Sequence, residues 1–207
     1  MTPKLAAHDA LNATVIGVAA GLLAWYVLTS ASVGNSLVRS FLPWLWLVVG
    51  IAAPVGLWFA AVLTRQLPTL YQFAKYGLIG VVNTLLSFAI LNFLAHLTGV
   101  TQGLGAGVFV VMAFVIANTH SFLWNKNWTF NATAARAAPV QYLQFSAVTL
   151  TSSLLAALLV SAITHFASPP TGLTATQWLN VANLAGTILA LAGNFLGFKI
   201  FVFNAKR

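Results

Sequence analysis

The chain has 207 residues, of which 60% are hydrophobic and 5% charged, with nine Lys and Arg against one acidic residue, no cysteine and a mean hydropathy of +0.92. That is more apolar surface than a single soluble core of this length can hide, so a soluble globular domain is excluded and an integral membrane protein is read. Without cysteine there is neither a disulfide framework nor a thiolate metal site.

Crossing the hydrocarbon takes about 20 apolar residues in a helix that satisfies its own backbone hydrogen bonds. Six runs meet this condition, near residues 11–29, 43–63, 73–97, 104–125, 142–166 and 177–201, so the fold class is an all-α membrane protein. Lys4 precedes the first run and "TSAS" follows it, a pattern shared with secretory signals, but a retained helix is the reading adopted. Asp9, the one acid, falls before this run, so the six helices are expected to hold no carboxylate. Pro43 opens the second run, where a missing N–H costs little, whereas Pro54 in "APVG" lies inside it and predicts a kink or a local partner for the freed carbonyl. In the third run Gly77 and Gly80, and in the sixth Gly186, Gly193 and Gly197, predict smooth faces for close helix approach. The fourth run contains "VFVVMAFVIA", continuously apolar, which excludes the period-two alternation of a membrane barrel.

Eight of the nine cations, Lys4, Arg65, Lys75, Lys126, Arg136, Lys199, Lys206 and Arg207, fall on one side of the six runs; Arg39 alone falls on the other. This asymmetry predicts cytoplasmic N and C termini. The net charge of +8 is then topological and directed at anionic lipid headgroups, and nucleic acid is not expected as a partner because no soluble basic domain carries the charge.

One phrase is written twice. "SFLWNKNWTFN" from Ser121 and "NFLGFKIFVFN" from Asn194 share Phe, Leu, Lys, Phe and Asn at a shift of 73, and "LYQFAKYGL" from Leu70 and "YLQFSAVTL" from Tyr142 share Gln, Phe and Leu at a shift of 72. Runs three and four therefore pair with runs five and six as a parallel tandem repeat of two hairpins, with Lys126 and Lys199 expected on one membrane face. For these lysines, dipole complementation and snorkelling compete with phosphate binding, and the neighbouring Trp and Phe also fit an interfacial belt. The coincidence of lysine and aromatics in one register, twice, with Arg65 and Lys75 entering at the same face, favours a lipid phosphate.

Asn118, Ser121 and Asn125 recur at helical spacing along a stripe running toward Lys126. Together with Asn83 they either line a polar groove or hydrogen-bond between helices, and spacing alone leaves both open. An enzyme is not expected. Acid–base and metal chemistry draw on carboxylates, thiolates or clustered histidines, while here His96, His120 and His165 stand apart and Ser121 has no acidic partner for a triad. A proton- or cation-coupled exporter of lipophilic drugs is disfavoured by the same poverty in acid. No cofactor is expected.

From Tyr71 to Asn204 the chain resembles the GtrA-like family of small polytopic membrane proteins, through "QFAKYGLIGVVNTLLSF", "FLWNKNWTF" and the terminal "FLGFKIFVF". The resemblance implies a four-helix domain over 67–207, preceded by a two-helix extension over 1–66. It also implies work on a polyprenyl-phosphate-linked sugar in cell-surface polysaccharide or glycolipid synthesis at the bacterial cytoplasmic membrane. The implied roles are flipping the lipid or scaffolding a membrane glycosyltransferase. Residue by residue, Asn83, Asn125, Lys126, Trp128 and Lys199 match the family's motifs; joined to the reading of the residues themselves, Lys126, Lys199, Lys75 and Arg65 are the expected phosphate contacts, and Asn83, Asn118, Asn125, Trp128 and Asn194 the expected sugar or prenyl contacts. A homo-oligomer is expected, because few helices must enclose a bulky headgroup. In the last copy Phe198 replaces the amide before the lysine, so the two half-sites are expected to differ chemically.

Overall fold

The computed structural model describes residues 6–30, 36–64, 67–100, 103–132, 138–172 and 175–203. Among them every regular element is helical: α1 (Ala7–Ser30), α2 (Ser36–Phe41), a 3₁₀ turn (Leu42–Trp44), α3 (Leu45–Leu63), α4 (Pro68–Thr98), α5 (Gly103–Trp124), a π-helical turn π1 (Asn125–Thr129), α6 (Ala138–Phe166), α7 (Ala175–Gly197) and a second π-helical turn π2 (Phe198–Val202). Six of the resulting helices are long and apolar enough to cross a membrane. The protein is a multi-pass membrane protein, and its outward faces fit that solvent: Val108, Val111, Val115 and Phe114 on α5 and Leu154 and Leu158 on α6 are exposed, as lipid-facing side chains are.

Two compact units are present, Met1–Asn131 and Ala132–Arg207. In the first, α1 packs on α3 and α4, and α4 packs on α5. The expected division after residue 66 is a boundary of resemblance; by packing, the first two spanning helices group with α4 and α5. Ala13, Ile16 and Ala20 form one stripe of α1, which meets Leu57 of α3, Ile79 and Val82 of α4 and Trp128 in the buried core. Asp9 is one turn ahead on that stripe and is buried as well. This corrects the expectation that the acid precedes the first helix. Hydropathy fades at the polar residues around Asp9, but the helix continues, and tertiary partners satisfy the Asp9 carboxylate.

α1 approaches α3 through glycines. A Cβ on Gly17 would collide with the Val49 carbonyl and Ala53, and one on Gly21 with the backbone of Leu45 and Trp46. Backbone cannot yield as a flexible side-chain tip can, so Gly21→Val is expected to cost about 1–3 kcal/mol through forced separation of the pair. Detergent-titrated unfolding of the variant measures it. The expectation for Gly77 and Gly80 is not met, since a Cβ on either meets nothing within 4 Å. α3 runs through Pro54 to Leu63 as one continuous helix. Gly99, at φ 71°, ends α4 in the left-handed conformation that lacks a steric penalty only for glycine.

The second unit is a hairpin in which α6 packs on α7 and π2. Here the glycine expectation holds. Added Cβ atoms at Gly186, Gly193 and Gly197 would meet Val160, Ser152 and Val148 of α6, one contact per turn or two along the seam.

Candidate functional site

The sequence phrase repeated at a shift of 73 is also a repeated shape. In both copies the helix widens for its last turn, so that Phe130 N–H donates to the Asn125 carbonyl (2.9 Å) and Phe203 N–H to the Phe198 carbonyl (2.8 Å), each an i to i−5 bond. The lysine of each turn lies over the phenylalanine one helical turn earlier: Lys126 Nζ is 5.8 Å from the Phe122 ring centre and Lys199 Nζ is 6.0 Å from that of Phe195. Both rings are buried and both lysines half-buried, so each ammonium is drawn back over an aromatic face near the helix end.

Beyond that common frame the copies diverge as the Asn-to-Phe change implies. In the second unit Phe198 stacks on Phe145 of α6, ring centres 3.9 Å apart and planes 13° apart, with Phe203 edge-on to Phe198. Phe198→Leu is expected to lose about 1 kcal/mol of this stacking beyond any loss of buried area, measured as a lower unfolding midpoint. In the first unit the corresponding position is Asn125, fully buried. Its amide nitrogen donates to the Ser121 carbonyl (2.8 Å) and hydroxyl (3.2 Å), while its Oδ1 accepts no hydrogen bond among the described residues. An orphaned carbonyl oxygen beside a half-buried lysine is a polar address in an otherwise apolar wall.

The first unit also builds a charged cluster. Lys75 Nζ donates to Asp9 Oδ1 at 2.6 Å, Trp128 Nε1 to the same oxygen at 2.7 Å, and the Tyr71 hydroxyl to Oδ2 at 2.8 Å. Tyr71 and Lys75 are four apart on α4 and so share a face, Trp128 comes from π1, and Asp9 from the first turn of α1. The ammonium lies 4.8 Å from the Tyr71 ring centre and 5.4 Å from that of Trp128. Asp9 is 5% and Lys75 8% exposed, low enough that this pair is desolvated and weakly screened by salt. His8 Nε2, on a largely exposed side chain, also lies 3.2 Å from Oδ1. Beside Trp128 a crevice of about 340 Å³ is lined by Asn12, Leu123, Trp124, Asn127 and Trp128.

The structure thus brings together Lys75 and Trp128, and sets Asn125 and Lys126 on the turn that delivers Trp128. Asn118 is buried on α5. Asn83 lies eight residues beyond Lys75, about 12 Å along α4, with its Oδ1 buried and unpartnered among the described residues. Lys199 and Asn194 belong to the second unit, where Asn194, whose Oδ1 is likewise unpartnered, lines a groove of about 600 Å³ with Ser153, Ser161 and Thr187. Arg65 lies outside the described residues, as do Lys4, Arg136, Lys206 and Arg207.

Asp9 and Tyr71 were missed by sequence reasoning. Two signals pointed to them: Asp9 continues the small-residue stripe of α1 at helical spacing, and Tyr71 stands one turn before Lys75. A chain with a single acid that also buries a lysine in a membrane helix has one available counter-ion.

The GtrA/DPMS transmembrane-domain model matches residues 75–203, more than half of the chain, from the buried lysine of the cluster to Phe203, the residue that follows π2. The chain belongs to the GtrA/DPMS transmembrane-domain family. No curated protein and no solved structure matches it. Both π-helical turns, the second hairpin, Lys75 and Trp128 fall within the GtrA/DPMS stretch, which begins inside α4, whereas Tyr71 and α1, which supplies Asp9, precede it.

Proposed function

We propose that this protein flips a polyprenyl-phosphate-linked monosaccharide across the bacterial cytoplasmic membrane, supplying cell-surface polysaccharide or glycolipid synthesis. Membership of the GtrA/DPMS family supports handling of a polyprenyl-phosphate sugar. The observation that carries the reading further is the pair of π-helical turns, each of which closes a membrane hairpin with a lysine over a buried phenylalanine.

In this reading no covalent step occurs and the protein is not an enzyme. Lys126 and Lys199, with Lys75 and Arg65, neutralise the phosphate at the cytoplasmic leaflet, where both chain termini also lie. A sugar crossing the hydrocarbon must shed the water on its hydroxyls, which costs several kcal/mol per unreplaced group. The carbonyl oxygens of Asn83, Asn125 and Asn194, each left without a partner among the described residues, are suited to accept those hydroxyls, and Asn118 is the further amide assigned to the sugar. Trp128 offers its ring face to sugar or prenyl carbons, and the prenyl tail stays in lipid. The protein works as a homo-oligomer with a lateral opening.

The test is exposure of the sugar carrier in the outer leaflet of proteoliposomes. Loss of exposure when Lys126 and Lys199 are both replaced supports translocation. Undiminished exposure rejects it, and leaves the family's other implied role, a membrane scaffold for a glycosyltransferase, as the reading to pursue.

A further inference from the structure

Three hydrogen-bond donors from two elements converge on one carboxylate supplied by a third. Lys75 Nζ, Trp128 Nε1 and the Tyr71 hydroxyl all lie 2.6–2.8 Å from the Asp9 oxygens, and together they carry one full positive charge and two neutral donors. This is the donor set of an oxyanion site: a cation for the charge and N–H and O–H groups for the separate oxygens. Nothing in it is particular to a carboxylate. A phosphate offers the same oxygens with at least the same charge, and the crevice beside Trp128 gives room for what the phosphate is attached to.

The anion now in the site stands near a helix end. Asp9 sits in the first turn of α1, three residues into the helix, and helix ends open locally at far lower cost than helix centres. The three donors stand on the long helix α4 and on π1; Lys75 and Trp128 lie inside the family-matched stretch, while Tyr71 and the acid precede it. Withdrawing Asp9 leaves a desolvated ammonium that requires another anion.

We infer that Tyr71, Lys75 and Trp128 form an oxyanion cradle whose resident ligand is the tethered Asp9 carboxylate, and that the phosphate of the lipid substrate enters by displacing Asp9. The second half rests on the translocation reading above; the cradle itself does not. Asp9 then has two effects. It keeps Lys75 paired while no substrate is bound, and it competes with the incoming phosphate, so that binding is coupled to release of the start of α1.

The test uses the full chain in phosphatidylcholine nanodiscs, with inorganic phosphate and dodecyl phosphate as probes, in wild type, Asp9→Asn, Asp9→Ala and Asp9→Ala/Lys75→Met. Binding is read by calorimetry and by the rise of the unfolding temperature with added probe. The expected result is binding at least ten-fold tighter in both Asp9 variants than in wild type, and loss of that gain when Lys75 is also replaced. A gain for both probes assigns the cradle to any phosphate oxyanion; a gain for dodecyl phosphate alone assigns it to a lipid headgroup. Should Asp9→Ala fail to fold, Asp9→Asn keeps the side-chain shape without the charge and carries the comparison. No gain for either probe in Asp9→Asn overturns the inference. That outcome is distinguishable from failure of the translocation reading, which is judged on Lys126 and Lys199 with Asp9 intact.

Discussion

Proteoliposomes carrying Lys126→Met/Lys199→Met are expected to expose roughly a hundredfold less sugar carrier in the outer leaflet than wild type. Truncating one partner of a desolvated, hydrogen-bonded charge pair costs about 2–5 kcal/mol, and at about 1.4 kcal/mol per decade of rate, 3 kcal/mol is already a factor above a hundred. The lysines are half-buried over phenylalanine rings, so their charges are worth more to a phosphate than those of solvated surface lysines. The two positions are not expected to be equal. Lys126 follows the buried Asn125 with its orphaned oxygen, whereas Lys199 follows Phe198, whose ring is committed to the stack on Phe145. Lys126→Met alone should therefore cost more than Lys199→Met alone, and Lys126→Arg should retain most of the rate because the charge and its reach survive. Wild-type rates in the double variant and in both single Met variants would show that neither lysine meets the transported phosphate.

The second large effect is on stability. Asp9→Ala and Lys75→Met are each expected to destabilise the protein by roughly 3–5 kcal/mol, since either leaves an uncompensated buried charge. Removing both should cost clearly less than the sum, because the double variant has no orphaned ion and its methionine still fills the space between Tyr71 and Trp128. The full double-mutant cycle, read by detergent-titrated unfolding at low and high salt, measures the coupling. A coupling of several kcal/mol that barely changes with salt is the signature of a pair as buried as this one. Strict additivity would mean that α1 is held by its apolar stripe and its glycine contacts to α3, with the ion pair incidental.

How much of this was legible before the structure depends on how far apart the cooperating residues lie. The helices were legible because hydropathy acts locally: a run such as 108–117 cannot leave its backbone unpaired in hydrocarbon, so its conformation follows from its own side chains. The repeated lysine and aromatic phrase was legible for the same reason, and its two copies adopt one backbone geometry with one lysine-on-phenylalanine contact. The difference between the copies was written in a single residue, Asn125 against Phe198. Its consequence, an orphaned amide oxygen in one unit and a ring stack in the other, needed partners from other helices to become visible.

The sequence by itself therefore determined the solvent, the spanning helices and the repeated lysine and aromatic turn, all properties of residues within a turn or two of one another. Only the tertiary structure decided that Asp9 belongs to a helix and closes on Lys75 and Trp128, 66 and 119 residues away. The physical reason is that a buried charge is tolerated only where its counter-charge and donors meet it in space. Local pattern places an acid and a base near helix ends; which acid faces which base follows from how the helices pack.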